Sequence, residues 1–298
     1  MTAPHICRAC PRACGVDRRV AVGYCGMPDT LYIARAALHP WEEPPISGTN
    51  GSGTVFFTGC NLRCVFCQNR TVSHEHTGQA VTSDDLARIM LDLQEAGAHN
   101  INLVTPTHYT EAIARTLREI KPRLHIPVVW NSSAYESSET LELLDGLVDI
   151  FLPDFKYSAR ELSAAYAGAA DYAEVAAEAV RTMYRLTGKI SFDANGLMTK
   201  GVIVRHLVLP GCRKDSIAIV ERLADILPVA DVRISLMRQY TPEFAMDCPY
   251  KNLHRRVTEF EYRSVVDAAT ALGFDGYTQG ADAASADFTP DFSSRVIC

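Results

Sequence analysis

Three cysteines fall within eight residues, Cys60-Asn61-Leu62-Arg63-Cys64-Val65-Phe66-Cys67, in a C-x3-C-x2-C spacing. Three thiolates on one tight loop can bind three irons of a cubane cluster and leave the fourth iron open, whereas ferredoxin-type clusters take four cysteines. An open metal position marks a reactive site, by the logic that separates catalytic from structural zinc. Three buried free thiols, or zinc with a distant fourth ligand, are the plainer alternatives. A second group, Cys7, Cys10, Cys14 and Cys25, has the spacing C-x2-C-x3-C-x10-C. With Pro11, Gly15, Gly23 and Gly26 shaping two knuckles, four thiolates can close a structural zinc site. They can also hold an auxiliary iron–sulfur cluster, as an electron relay or substrate anchor. Zinc suits the paired knuckles better. Cys212, Cys248 and Cys298 stand apart and read as free thiols.

These groups need a frame, and the chain supplies one. It has 298 residues, 47% hydrophobic and 21% charged, with a formal net charge of −6. That mix excludes a disordered chain and gives no bulk positive charge for nucleic acid. No apolar run approaches a membrane span, and the N-terminus lacks the pattern of a secretory signal. Clustered thiols in so long a chain, without that signal, point to metal or redox chemistry in a reducing cytoplasm rather than a disulfide scaffold.

Residues 1–50 read as an irregular Cys-rich extension ending in the proline- and glycine-rich stretch from His39 to Gly53. From residue 54 strands and helices alternate. Strands are expected at 54–58, 101–104, 127–130, 149–152, 202–209 and 232–236. Helices are expected at 83–95, 109–121, 138–147, 159–187, 215–227 and 258–272. Six strands with helical crossovers imply a parallel sheet, with the chemistry at the strands' C-terminal ends. Residues 51–280 are expected to form this core and 281–298 a tail.

The C-x3-C-x2-C loop, with an aromatic before its last cysteine and placed after the first strand, resembles the radical S-adenosylmethionine (SAM) superfamily. Cys67-Gln68-Asn69 is similar to the pyruvate formate-lyase activating enzyme group. Thr105-Pro106-Thr107-His108, Pro153-Asp154-Phe155-Lys156-Tyr157, Leu209-Pro210-Gly211 and Met237-Arg238-Gln239-Tyr240-Thr241-Pro242 resemble a homologue subgroup of that group. The resemblance covers about residues 54–280 and implies a partial (β/α)6 TIM-like barrel. It implies a 4Fe-4S cluster on Cys60, Cys64 and Cys67, with SAM bound to the open iron. Reductive cleavage of SAM would then give a 5′-deoxyadenosyl radical for hydrogen abstraction.

Further expectations follow residue by residue. Phe66 would pack near adenine or simply fill the core. The Gly-Gly-Glu that ends the second strand in typical members is replaced here by Thr105-Pro106-Thr107-His108. Thr105 and Thr107 are therefore candidates for the SAM contact, and His108 for a substrate-side acid or base, or a structural histidine. Asn131 and Ser133 would bond the ribose and methionyl ends, unless they serve only as turn residues. Asp154 and Lys156 are catalytic candidates or a buried ion pair. Arg205 would fork onto the SAM carboxylate, and Leu209 and Gly211 would offer backbone to adenine. Gln239 and Tyr240 would line the substrate side. The resemblance implies a flavodoxin- or ferredoxin-like reductant. It also suggests a glycyl radical enzyme as protein substrate. A radical enzyme acting on a small molecule or peptide is the rival, and a non-catalytic SAM-binding iron–sulfur or zinc protein is the alternative of another class.

Overall fold

The computed structural model describes residues 6–283 and 292; Cys298 and most of the expected tail lie outside them. Ten strands form one sheet among the described residues. They are β1 (Leu31–His39), β2 (Ser52–Phe57), β3 (Gln79–Val81), β4 (Ile101–Val104), β5 (Val128–Ser132), β6 (Ile150–Pro153), β7 (Ser191–Phe192), β8 (Met198–Leu207), β9 (Arg233–Met237) and β10 (Gly276–Thr278). The order is β10-β9-β8-β6-β5-β4-β2-β1-β3, with β7 paired to β8. From β2 to β10 along this path every pairing is parallel; β1, β3 and β7 pair antiparallel. The sheet therefore ends in two edges, β10 and β3, and is an open α/β barrel of the partial TIM type.

Every residue of β2, β4, β5 and β6 is buried. Unbroken burial is what a parallel strand covered on both faces requires. Side chains alternate between those faces. Val128, Trp130, Phe151, Val202 and Val204 belong to the core shared with the helices, among them α3 (Ser83–Glu95), α4 (Thr110–Ile120), α7 (Tyr172–Thr187), α8 (Arg213–Ile226) and α9 (Glu259–Ala271). The opposite face carries Val129, Ile150, Leu152 and Ile203, in a separate core with Ile46 of α1 (Pro44–Ser47). One alternation further along β5, β6 and β8 come Asn131, Asp154 and Arg205. The concave face thus changes from apolar to charged as the strands approach their C-terminal ends.

Four expectations need correction. Residues 1–50 are not irregular throughout. Leu31–His39 pairs with β2, and α1 turns the chain into the barrel. The Ala-rich run Leu31-Tyr32-Ile33-Ala34-Arg35-Ala36-Ala37 lacks the β-branched signature of a strand, and its pairing partner decides it. A further parallel strand, β10, extends the sheet past the expected six; at three residues it is too short to leave a periodic trace. The helical region 159–187 is two helices, α6 (Arg160–Ala167) and α7, separated at Gly168, whose φ of 63° ends α6 in the left-handed conformation. The expected helix at 138–147 is shorter as well: α5 (Ser138–Leu141) passes into a 3-10 turn at Glu142–Leu144.

Phe151 is completely buried in β6. Phe151→Ala should destabilise the chain by about 3–5 kcal/mol. The check is a lower urea midpoint at unchanged slope.

Candidate active site

At the C-terminal ends of the strands lies a cavity of about 620 Å³. Cys60, Cys64, Phe66 and Cys67 line it from the loop after β2. Thr105, Asn131, Ser133, Asp154, Lys156 and Arg205 line it from the ends of β4, β5, β6 and β8. Gln239 and Tyr240 follow from the loop after β9. Ten of the candidates drawn from the motifs, and both substrate-side residues, therefore meet in one chamber.

Burial pushes the Cys60 thiol up to about 12, and nearby Cys64 adds to this. Burial likewise pushes Cys64 up to about 11, against the pull of the Lys156 ammonium. Such thiols become thiolates only when positive charge compensates them, as a bound metal does. The Cys67 Sγ lies 3.2 Å from the Ser73 hydroxyl, and the Leu62 N–H points at Cys60 Sγ at 3.4 Å. Three thiols on one wall of a cavity, with N–H and O–H groups beside their sulfurs, fit a three-cysteine iron–sulfur cluster. Among the described residues no three His, Cys, Asp or Glu side chains converge on a single ion.

The chamber's floor is an ion network. Arg205 gives Nε to Asp154 (2.8 Å), Nη1 to Glu42 (3.0 Å) and Nη2 to Asn131 Oδ1 (2.5 Å). Lys156 Nζ reaches the other Asp154 oxygen at 2.7 Å. Glu42 also accepts from Asn102 at 2.8 Å and Asn131 at 3.3 Å. Burial favours a neutral Asp154, yet Arg205 and Lys156 outweigh it and hold the carboxyl below the usual range. For Glu42 and Glu43 burial wins over Arg205 and raises both.

The expected fork from Arg205 onto a SAM carboxylate is not what this geometry offers, because all three guanidinium nitrogens are already committed to protein acceptors. His108 is not at the chamber. It is 3% exposed, with Nε2 2.7 Å from the Thr58 carbonyl, and burial together with Arg18 pushes it down to about 3. It is a buried neutral histidine, not a substrate acid or base. Thr107 faces away too, donating to buried Glu136 at 3.0 Å. Leu209 is core, and Gly211 sits in a second, outer cavity with its N–H donated to Glu261. The local cause is the turn after each strand: Thr105 takes a left-handed φ of 57°, which turns the next residues away from the chamber.

Sequence reasoning missed Glu42, Glu43 and Glu136. Two adjacent carboxylates in His39-Pro40-Trp41-Glu42-Glu43-Pro44-Pro45 were the available signal, since prolines on both sides fix the chain and leave the acids little freedom. Glu136 collects the hydroxyls of Thr107 and Ser132 and the Trp130 indole N–H, and braces the ends of β4 and β5.

The N-terminal cysteines form a module against the Cys60 loop. Cys14 and Cys25 sulfurs lie 3.3–3.5 Å from where a Cβ on Gly23 would stand, and Cys7 is an electrostatic neighbour of both Cys10 and Cys25. Burial pushes the Cys10 thiol up to about 11. Arg12 donates to the Asn61 carbonyl (2.8 Å) and the Gly168 carbonyl (2.5 Å) while stacking 4.1 Å over Tyr24. Arg63 returns a bond to the Tyr24 carbonyl.

Residues 54–197 match the Radical SAM superfamily. An uncharacterized protein of Methanocaldococcus jannaschii is 28% identical over 284 residues, covering 90% of this chain and 75% of that protein. Streptococcus suis SuiB bound to S-adenosylmethionine has a TM-score of 0.50 at 14% identity, covering 74% of this chain and 48% of that one. This chain thus spans about half the length of SuiB. A radical SAM methyltransferase from Sphaerobacter thermophilus has a TM-score of 0.51 at 15% identity, covering 77% of this chain and 68% of that one. The structural likenesses support the fold.

Two outcomes follow. Arg205→Met leaves Glu42 without its cation and Asp154 with Lys156 alone, and should cost about 3–5 kcal/mol at neutral pH. The parent's depressed Asp154 contributes stability above the ordinary carboxylate pKa and loses it as pH falls through the folded value. In the variant the stranded Glu42 carboxyl binds protons more readily folded than unfolded, so the deficit should narrow on acidification. Urea midpoints at pH 7.5 and 5 check this. Gly59→Ala meets a φ of +85° and would place its Cβ 2.8 Å from the Cys25 carbonyl oxygen. A cost of roughly 1–3 kcal/mol is expected. Alkylation of Cys25 followed by mass spectrometry should be faster in the variant.

Proposed function

We propose, from the radical SAM superfamily domain carried by residues 54–197, that this chain is a radical SAM enzyme holding a 4Fe-4S cluster on Cys60, Cys64 and Cys67. With one electron from a flavodoxin- or ferredoxin-like reductant, that cluster supplies reductive cleavage of SAM to a 5′-deoxyadenosyl radical, which abstracts hydrogen from a substrate. The observation that carries this reading is the common cavity shared by the three thiols and the charged floor of the barrel. Lys156 keeps a positive charge beside Cys64, which favours the thiolate. Phe66 packs edge-on against Tyr240, centroids 5.8 Å apart, and offers an apolar face on the cysteine side. Thr105 and Ser133 present the polar edge for the ribose and methionyl ends, beside Asn131, whose amide is held by Arg205 and Glu42. Water exclusion falls to the buried walls.

Of the substrates the sequence leaves open, a small molecule or a peptide side chain suits the chamber better than the glycine loop of a glycyl radical enzyme. A glycine offers a single uncharged backbone N–H, whereas a row of carboxylates favours a cationic or multi-donor side chain. The N-terminal thiols are proposed to hold a separate centre, zinc or a second cluster, in a module confined to residues 6–30, because β1 already belongs to the sheet. The chain is proposed to work in the cytoplasm; no helix of the described residues is long and apolar enough to cross a membrane.

Anaerobic reconstitution with iron and sulfide, followed by SAM and dithionite, should yield 5′-deoxyadenosine. Replacing Cys60, Cys64 and Cys67 together by Ala should abolish that product while leaving zinc, or iron with sulfide, on the N-terminal cysteines. Undiminished product from the triple variant would refute the cluster assignment; a metal-free triple variant that still melts cooperatively would refute the second centre.

A further inference from the structure

The chamber has more carboxylates than cations. Five charged side chains run along it as Lys156, Asp154, Arg205, Glu42 and Glu43, three carboxylates against two cations. Asp154, Glu42 and Asn131 accept the hydrogen bonds of Arg205, and Asp154 that of Lys156. Glu43 feels the Arg205 charge but takes no hydrogen bond from it: the Arg205 Nη1 is 4.0 Å from its Oε2, beyond hydrogen-bond reach. That oxygen is buried with no hydrogen-bond partner among the described residues, on a side chain only 7% exposed. The Oδ1 atoms of Asn69, which also lines the cavity, and of Asn102, whose amide nitrogen binds Glu42, are further buried acceptors without a donor. A buried carboxylate oxygen left unpaired is costly and calls for a compensating group.

The position of this gap says what the group belongs to. Lys156 and Asp154 stand at the cysteine end of the row, close enough to Cys64 to act on its thiol. Glu43 is at the other end, beyond Arg205, where Ser235 of β9 lines the wall.

We propose that Glu43 anchors a protonated primary amine of the substrate, at the end of the chamber away from the cysteines. The requirement is met by an alkyl ammonium: one positive charge balances the surplus carboxylate, and its N–H donors supply the partner that Glu43 Oε2 lacks. An alcohol brings one donor and no charge, and a carboxylate adds to the surplus. The substrate class is therefore an amine-bearing small molecule or a lysine-like side chain. This inference rests on the chamber being the reaction site.

The test uses the reconstituted, SAM-saturated chain and, in parallel, the chain as purified. Calorimetric titration compares 1-aminopentane with 1-pentanol and pentanoate. The amine should bind at least about tenfold more tightly than either five-carbon comparator. Glu43→Gln, which keeps the shape and removes the charge, should abolish that preference with a melting temperature close to the parent's. Equal binding of the amine and the alcohol would overturn the proposal. So would an undiminished preference in Glu43→Gln, and a Glu43 that is only a buried neutral carboxyl gives one of these two results. Production of 5′-deoxyadenosine is scored separately: its absence would sink the radical SAM reading, while loss of amine preference alone would sink only the amine subsite.

Discussion

Arg205 is the constraint on which the chamber depends. A guanidinium taken out of water must have every donor matched, and the groups that match it must themselves be held in place. Asp154 comes from the end of β6, Asn131 from β5 and Glu42 from the segment between β1 and α1. One cation thus fixes three separate stretches of chain around the barrel mouth. Lys156 closes the row toward the cysteine loop and keeps Asp154 ionised. Replacing such a cluster with apolar side chains can be neutral for stability, so the cost of desolvating it is better understood as the cost of a polar chamber than as a device for holding the fold.

The segment 39–48 links the N-terminal part of the chain to that chamber. Its prolines and the short α1 carry the chain across the concave face. Ile46 is spent on the apolar core of the barrel, and Glu42 and Glu43 on the polar layer above it. An open sheet of this kind leaves its concave face partly uncovered, and this segment covers it with residues that also furnish the wall.

The cysteine module and the Cys60 loop are joined by a few donors with little slack. Arg12 holds the carbonyls of Asn61 and Gly168 at once and is stacked between Tyr24 and Tyr135. Asn61 in turn donates to the Tyr135 carbonyl at 2.7 Å. A loop that must present three thiols at one wall cannot rely on its own sequence for rigidity, and these bonds supply it from outside. The conformation of the N-terminal cysteine module therefore bears on the geometry of the Cys60 loop.

The cysteine spacings, the alternation of strands and helices, and the placement of chemistry at strand ends were all legible in the residues, because each depends on neighbours within a few positions. Period-2 alternation even assigns Asp154 and Arg205 to the same face as Asn131 once the strands are known. What tertiary structure alone decided was partnership. Arg205 looked free to fork onto a ligand, but Asp154 and Glu42, 51 and 163 residues away in sequence, occupy it. His108 and Thr107 looked like site residues, but a left-handed turn at Thr105 sends them into the core. Glu42 and Glu43 sit in a proline-rich stretch with no periodicity to signal burial, and the fold buries their side chains. Local sequence fixes which groups exist and how they repeat, whereas desolvation and pairing depend on chain segments brought together from far apart, and these decide which groups remain available for chemistry.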